Sequence, residues 1–423
     1  VYVPGTEASS EEMKSLAFAI DKAGEGTLEI VSDWLDKEIE MSWMREYVEK
    51  SDCGLTVLQT SGDAVKTILF CEEQFLKGKN VRPQFPGRNV GMMFGLESSL
   101  HPFIGHPSYR EIADLPLSER VQIMKDPAFK EKLLNEKPNF ASEIEKSMNE
   151  QGNTKSQEEI KEAANLGLKL ISNYDTQFIL GDPPNYEPGK EDSIAALAKS
   201  KGIAELEVIY DEFLKNEGTN LVYACFTPYD NHKLDFVERA YSLKSSVAGG
   251  SDGGAHCGLI CDASMPTTNL SHWARDREAG KKIPIELIVR KQTKDTAETY
   301  GLFDRGEIKT GMLADLNIID FEKLNVTHPK MVYDLPLGGR RLIQTSSGYL
   351  ATVKSGEVVY EAGEATGVLP GKLIRGKQTC EVKTEKERVP FIDRTLRLMS
   401  VKAFKLLWNF RKSSVKTTVV SDD

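Results

Sequence analysis

Ser245-Ser-Val-Ala-Gly-Gly-Ser-Asp-Gly-Gly-Ala-His-Cys257 is the stretch that decides the fold. Ser246 to Gly250 reads as a short strand, and the turn behind it carries Ser251, Asp252 and His256. Gly249, Gly250, Gly253 and Gly254 bracket one carboxylate. Glycine lets the backbone bend sharply and approach a ligand closely. An ionisable residue at the C-terminal end of a strand, opening a Gly-rich loop, is where a β/α barrel places its chemistry. The local string leaves two readings open. Asp252 is a functional carboxylate, or it caps a turn, since Asp-Gly is common turn chemistry.

Working outward, the N-terminal third alternates strand and helix. Helical spacing of apolar residues over Glu11 to Asp21 follows capping candidates at Thr6 to Ser10. Thr27 to Ser32 reads as a strand, and Asp36 to Lys50 as a helix with Ile39, Trp43, Met44 and Tyr47 on one stripe. Leu55 to Gln59 is the next strand, Asp63 to Leu76 the next helix, and Val81 to Phe85 a strand stopped by Pro86-Gly. That alternation predicts a parallel sheet with helices outside. The rhythm breaks over about 92–175, read as an insertion of loops and charged helices, among them Leu117 to Lys125 and Ser156 to Ile171. The Glu- and Lys-rich run at 143–163 reads as a solvated helix face. Alternation resumes with strands at Thr176 to Leu180 and Asn220 to Phe226 and helices at Ser193 to Lys199, Ala204 to Lys215 and Lys233 to Tyr241. Helices follow around Trp273 and over Ile285 to Tyr300. From Gly301 short strands joined by Gly and Ser turns spell a small all-β module over 301–376. In the tail, 377–423, the stretch Pro390 to Arg411 has the pattern of an amphipathic helix.

Several segments together resemble the N-acyl-D-amino-acid deacylase branch of the amidohydrolase superfamily. They are Ser251-Asp-Gly-Gly-Ala-His256, Cys261-Asp-Ala-Ser-Met-Pro-Thr267, Ser271-His-Trp-Ala-Arg-Asp-Arg277, His101-Pro-Phe-Ile-Gly-His-Pro-Ser-Tyr-Arg110, Gly181-Asp-Pro-Pro-Asn-Tyr-Glu-Pro188, Ala314-Asp-Leu-Asn-Ile-Ile-Asp320 and Asp334-Leu-Pro-Leu-Gly-Gly-Arg-Arg341. The resemblance implies an α/β chain holding the later half of an amidohydrolase-type TIM β/α barrel (1–300, with the insertion at about 92–175). A helical insertion and a small C-terminal β-sandwich module complete it. It also implies a hydrolase that cleaves a non-peptide amide C–N bond in N-acyl-D-amino acids, with Asp252 activating water and serving as a metal ligand for zinc. A carboxylate beside an acidified water serves first as base and then as acid.

The usual metal ligands depart from the family's pattern. The histidines are His101, His106, His232, His256, His272 and His328, and none forms the family's opening His-x-His or His-x-Asp pair. Thr27 to Ser32 matches the fifth barrel strand in motif order, which places the family's earlier ligands upstream of Val1. Where related deacylases carry histidines after the fifth and sixth strands, this sequence has Ser32-Asp33 and Gln59-Thr60. Asp33 and Gln59 are then polar replacements or ordinary strand-end residues. Two further functions stay open beside the deacylase: a catalytically inactive fragment or small-molecule-binding protein of the same fold, and an amidohydrolase acting on a cyclic amide or another small C–N compound.

Around Asp252 the remaining candidates are His256, which would orient a substrate carbonyl or share its proton with Asp252, and a substrate-reading loop with His101, His106, Tyr109 and Arg110. Arg275 and Arg277 offer guanidinium groups that pair bidentately with a carboxylate. Each has a plainer structural reading too. His272 beside Trp273 reads as structural.

Bulk properties narrow the partners. With 423 residues, 40% hydrophobic and 28% charged, the chain has the composition of a globular protein with a large core. A net charge of −10 argues against nucleic acid. No run of about 18 apolar residues spans a membrane. Six scattered cysteines, Cys53, Cys71, Cys225, Cys257, Cys261 and Cys380, read as reduced thiols in a cytoplasmic setting. A half barrel exposes unpaired strand edges, so a homo-oligomer is expected.

Overall fold

The structure, a computed structural model, describes residues 8–32, 36–59, 65–140, 157–252 and 256–380. Asp33, Thr60, Gly253, Gly254 and all but the start of the 377–423 tail lie outside the described residues. The chain divides into two compact units, one comprising Val1–Gln292 with Asn325–Ser347, the other Thr293–Leu324 with Gly348–Asp423. This division differs from the sequence reading, which joined 301–376 into one module.

In the first unit, β1 (Thr27–Ile30), β2 (Gly54–Leu58) and β3 (Val81–Pro86) run parallel. Local signals make the helices between them. Ser9 Oγ accepts from Glu12 N at 3.2 Å to start the helix Ser10–Ala23, and Asp36 Oδ1 accepts from Ile39 N at 3.1 Å to start Lys37–Lys50. Such caps satisfy donors that have no partner inside the helix. Lys37–Lys50 buries Met41, Trp43, Met44, Tyr47 and Val48 against Leu55, Val57 and Val81. Ile39, placed on this stripe from sequence, is 55% exposed. Val65–Leu76 adds Phe70 and Cys71 to the same core.

The chain then leaves this sheet. Only Gly87, Arg88 and Asn89 separate β3 from β4 (Val90–Phe94), too little for the crossover helix a parallel partner needs. β4, β5 (Gln177–Ile179) and β6 (Val222–Thr227) form a separate antiparallel sheet in the order β4-β6-β5. The sequence reading treated β5 and β6 as resumed barrel strands. Strand periodicity reports which residues alternate, not which way the partner runs, and here the pairing is antiparallel. Helices Pro107–Ile112, Leu117–Met124, Pro127–Asn135, Ile194–Lys201 and Glu205–Phe213 pack on this sheet around Phe94, Phe103, Tyr109, Leu133, Tyr210 and Phe213.

β7 (Val247–Gly249) returns to the first sheet, parallel to β3, completing the order β1-β2-β3-β7. The four strands form an open sheet, and no closed barrel is present among the described residues. Gly250 has φ +77 and sits against Pro86, so the chain turns off β7 into Asp252 through a conformation that glycine takes without strain. In the same unit β9 (Asn325–Val326) pairs with β12 (Ser346–Ser347), and β10 (Lys330–Leu335) with β11 (Gly339–Ile343). Leu342 N donates to Cys257 O at 2.7 Å, pinning that hairpin beside the Gly-rich loop.

The second unit holds one antiparallel sheet, β8 (Leu316–Ile319), β13 (Tyr349–Lys354), β14 (Glu357–Glu361) and β15 (Glu364–Ala365), in the order β15-β14-β13-β8. A second facing sheet, as a sandwich needs, is not found among this unit's described residues. Ile285 to Tyr300, read as one helix, is two: Ile285–Gln292 and Lys294–Thr299 flank Thr293, whose φ −120 and ψ −83 are not helical. Among the described residues no helix is long and apolar enough to cross a membrane.

Candidate functional site

Register aligns the C-terminal ends of the four parallel strands. Leu58 pairs with Gln84, and Pro86 with Gly249, so Gln59, Gly87 and Gly250 begin their loops at one edge. Asp252 emerges at this edge. Its carboxylate is exposed and has no hydrogen bond or ion pair among the described residues. His256 is exposed too, with φ +49, and its carbonyl accepts from Leu259 N and Ile260 N at 2.8 and 2.9 Å. Gln59 is 1% exposed, and neither end of its amide has a partner. Gln84 Nε2 donates to Thr56 Oγ1 at 2.9 Å.

Behind Asp252 lies a polar cluster that the sequence reading missed. Arg88 is fully buried. Its Nη2 donates to Cys261 O at 2.8 Å and to Asp262 Oδ1 at 3.1 Å, and its guanidinium stacks 3.6 Å above the Tyr186 ring. Nε and Nη1 have no partner. Burial raises the Asp262 pKa, the Arg88 charge opposes that rise, and the nearby Asp252 charge adds to it. Asp252 and Asp262 thus share one electrostatic neighbourhood. Asn89 continues the loop: Tyr223 Oη donates to its carbonyl at 2.8 Å, and Nδ2 points at Cys225 Sγ at 3.1 Å. The only trace of this cluster in sequence is an arginine between glycine and asparagine directly after an apolar strand, together with Asp262 inside a quoted motif.

A second network sits on the π-helical turn Asn269–Asp276. Such turns are uncommon and frequent at functional sites. Glu187 accepts from Arg277 Nε and Nη2, each at 3.0 Å, and lies 2.8 Å from His272 Nε2. Arg277 also donates to Glu238 at 2.5 Å and lies 4.3 Å over the Trp273 ring. Although burial works to raise the Glu187 pKa, hydrogen bonds from His272 and Arg277 bring it down to about 2. Trp273 Nε1 donates to Gly87 O at 2.6 Å, tying this turn to the loop after β3. Arg275 chelates its neighbour Asp276 at 2.6 and 2.8 Å.

His101 and His106 are together in the insertion core. His101 is 2% exposed; Nδ1 accepts from Phe103 N at 3.2 Å, and Tyr109 packs edge-on at 4.8 Å. Burial pushes its pKa down to about 3. His106 Nδ1 donates to Leu133 O at 3.0 Å, and burial lowers its pKa as well. Arg110 is half-buried on the helix Pro107–Ile112. Of the residues singled out in the sequence, Asp252 and His256 are exposed, His101 and His106 are buried, Arg110 is half-buried and Arg275 is paired with Asp276.

A hydrolytic zinc site needs about three nitrogen, sulfur or carboxylate donors around an open position. Among the described residues no group of three or more His, Cys, Asp or Glu side chains is arranged to hold a metal ion. Near the ends of β2 and β3 the buried Gln59 and Gln84 present neutral amides rather than such donors. The described residues do not fit the metal.

Residues 183–360 match the family model of the amidohydrolase family. No curated protein matches the sequence. The fold is similar to three structures of D-aminoacylase, each 15% identical and covering 87% of this chain. One comes from work on that enzyme's binuclear metal centre (TM-score 0.45), one describes D-aminoacylase as defining a novel subset of amidohydrolases (0.42), and one is a mutant in complex with copper chloride (0.45). This chain spans 59% of the length of each. The matched span takes in Asp252, Asp262, the π-helical turn and β8 to β13, and over it the chain is similar to the amidohydrolase family.

Proposed function

We propose that this chain carries the later half of a β/α-barrel hydrolase that acts on the amide C–N bond of N-acyl-D-amino acids, in a cytoplasmic setting. One observation carries the reading: the exposed carboxylate of Asp252 stands directly beyond β7 at the C-terminal edge of four parallel strands, inside the family-matched span. That edge is where β/α enzymes assemble their chemistry. In this reading Asp252 accepts a proton from water as its oxygen adds to the acyl carbonyl. It returns that proton to the amine nitrogen as the C–N bond breaks, giving a carboxylic acid and a free amino acid. No step is routed through a metal, because the described donors do not fit one. Among the described residues β1 and β7 are the edge strands of this sheet, which supports self-association as part of the same reading.

A second reading, a small-molecule-binding protein of this fold, is favoured by that same lack of a metal-donor group among the described residues. Turnover separates the two. We expect amine release from N-acetyl-D-amino acids and its loss, by at least about 100-fold, in Asp252→Asn, in line with general acid–base contributions. Undiminished turnover in Asp252→Asn overturns the assignment of Asp252. Absence of turnover on N-acyl-D-, N-acyl-L- and cyclic amide substrates selects the binding protein.

A further inference from the structure

In the second unit an open groove of about 590 Å³ runs across the sheet β15-β14-β13-β8. Its walls are apolar: Leu316 from β8, Val353 from β13, Val359 and Tyr360 from β14, then Val368 and Leu369 from the stretch after β15. Leu369 is 92% exposed, Tyr360 49% and Val368 38%. Single exposed apolar residues need no explanation, but a contiguous set lining a groove marks a docking surface. Lys354 also lines the groove, and Asp315 takes up its charge at 2.9 and 3.0 Å. At the tip of the β14-β15 hairpin the register sets Glu361 opposite Glu364, one step beyond the lining pair Tyr360 and Ala365. Like charges directly across two strands repel, so this rim favours a cationic occupant.

The chain itself carries a segment of that chemistry. Residues 381–423 lie outside the described residues. In their sequence Ile392, Leu396, Met399, Ala403, Leu407 and Phe410 recur at the three- and four-residue spacing of one helix face. Arg394, Arg397, Lys402, Lys405 and Arg411 fall between them, against Asp393 alone. Amphipathic helices of this pattern bind by laying the apolar stripe into a hydrophobic groove. A second copy of the chain would bring a net charge of −10 to the acidic rim, whereas this segment brings cations. Its starting point lies in the same unit. Gln378 N donates to Gly301 O at 2.8 Å and Phe303 N to Gln378 O at 3.0 Å, which ties the chain to the body of the unit just before the segment begins. The link 381–389 can span about 30 Å when extended. A body of about 65 residues, the size of this unit's described part, has a radius of gyration of about 11 Å. The link is long enough to reach the groove and short enough to hold the segment near it at a high local concentration.

We propose that the groove over β8, β13, β14 and β15 is the docking site of this chain's own segment 391–410, whose apolar stripe fills it while its cations face Glu361 and Glu364. The inference stands apart from the hydrolase reading, since it involves neither Asp252 nor a substrate.

The test is hydrogen–deuterium exchange of the full chain, read by mass spectrometry. Segment 391–410 is expected to exchange at least about ten-fold more slowly than the same peptide free in solution, at every chain concentration. In Leu369→Asp, at an exposed position, that protection should fall to the free-peptide rate. In Leu396→Asp, which leaves the groove untouched, it should fall likewise. Reversing the rim with Glu361→Lys and Glu364→Lys together should lower it in part. Unchanged exchange over β13 and β14 shows that the sheet still folds in each variant, and the rim reversal decides the site if Leu369→Asp loosens the sheet. Free-peptide exchange of 391–410 in the wild type overturns the docking. With flotation on phosphatidylserine vesicles, that result assigns the segment to an anionic membrane surface instead. Protection that grows with chain concentration assigns the groove to a second copy and overturns docking within one chain. Protection that survives both Leu369→Asp and the rim reversal places the segment elsewhere and overturns it too.

Discussion

Acidification is the sharpest probe of where the insertion places its histidines. His101 sits in an aromatic cage of Phe103, Tyr109 and Phe213, and its pKa falls to about 3, from burial first and then from the Arg120, Arg340 and His106 charges. In the unfolded chain it titrates near 6.5. The unfolded state therefore binds the proton first, so this stability is full above about pH 6.5 and is lost as pH falls towards 3. Each pH unit in that window removes about 1.4 kcal/mol. From about pH 7 to about pH 4.5 the His101 share comes to about 2.5 kcal/mol. The comparison is His101→Phe, which keeps an aromatic ring in the cage and loses only the bond from Phe103 N, about 1 kcal/mol at either pH. Urea unfolding of both proteins at both pH values isolates the term, because His106 and the carboxylates titrate alike in each. The wild type should lose about 2.5 kcal/mol more than the variant on acidification. Parallel losses, within about 0.5 kcal/mol, would refute the buried neutral imidazole and return His101 to the substrate-facing role its motif suggested.

Two further predictions concern the frame around Asp252. Arg277→Met strands Glu187 in a buried site, where its side chain is 2% exposed, and should cost about 3–5 kcal/mol by chemical denaturation. Glu187→Gln in the same background should recover most of that loss, and a full loss in the double variant would show that packing of Arg277 on Trp273 matters more than its charge. Gly87→Ala should cost about 1–3 kcal/mol through overpacking against the Asn269 amide. Asn269→Ser added to it should restore stability, and a Gly87→Ala variant as stable as wild type would mean the amide moves aside freely.

What was legible in the sequence divides along a physical line. Local chemistry was readable: Asp36 caps its helix, Gly250 turns the chain, and β1, β2, β3 and β7 fall close to where apolar runs placed them. Long-range partners were not. Nothing in Asn220 to Phe226 says that its neighbour is β4 and antiparallel, because alternation is the same for either direction. His101 and His106 looked like surface chemistry because loops with Pro, Gly and His often are; the structure instead folds Phe103, Tyr210 and Phe213 over them, residues up to about a hundred positions away. Arg88 failed for the opposite reason. A lone arginine carries no pattern, and its meaning depends on Tyr186 and Asp262, which come from two other segments. A buried guanidinium costs several kcal/mol to desolvate. One ion pair to Asp262, one carbonyl and the face of Tyr186 work against that cost, and together with Tyr223 they hold the guanidinium charged in spite of its burial. Those partners stand far along the chain from Arg88, so no local pattern around Gly87-Arg-Asn89 could announce that this arginine is buried and paired rather than solvated.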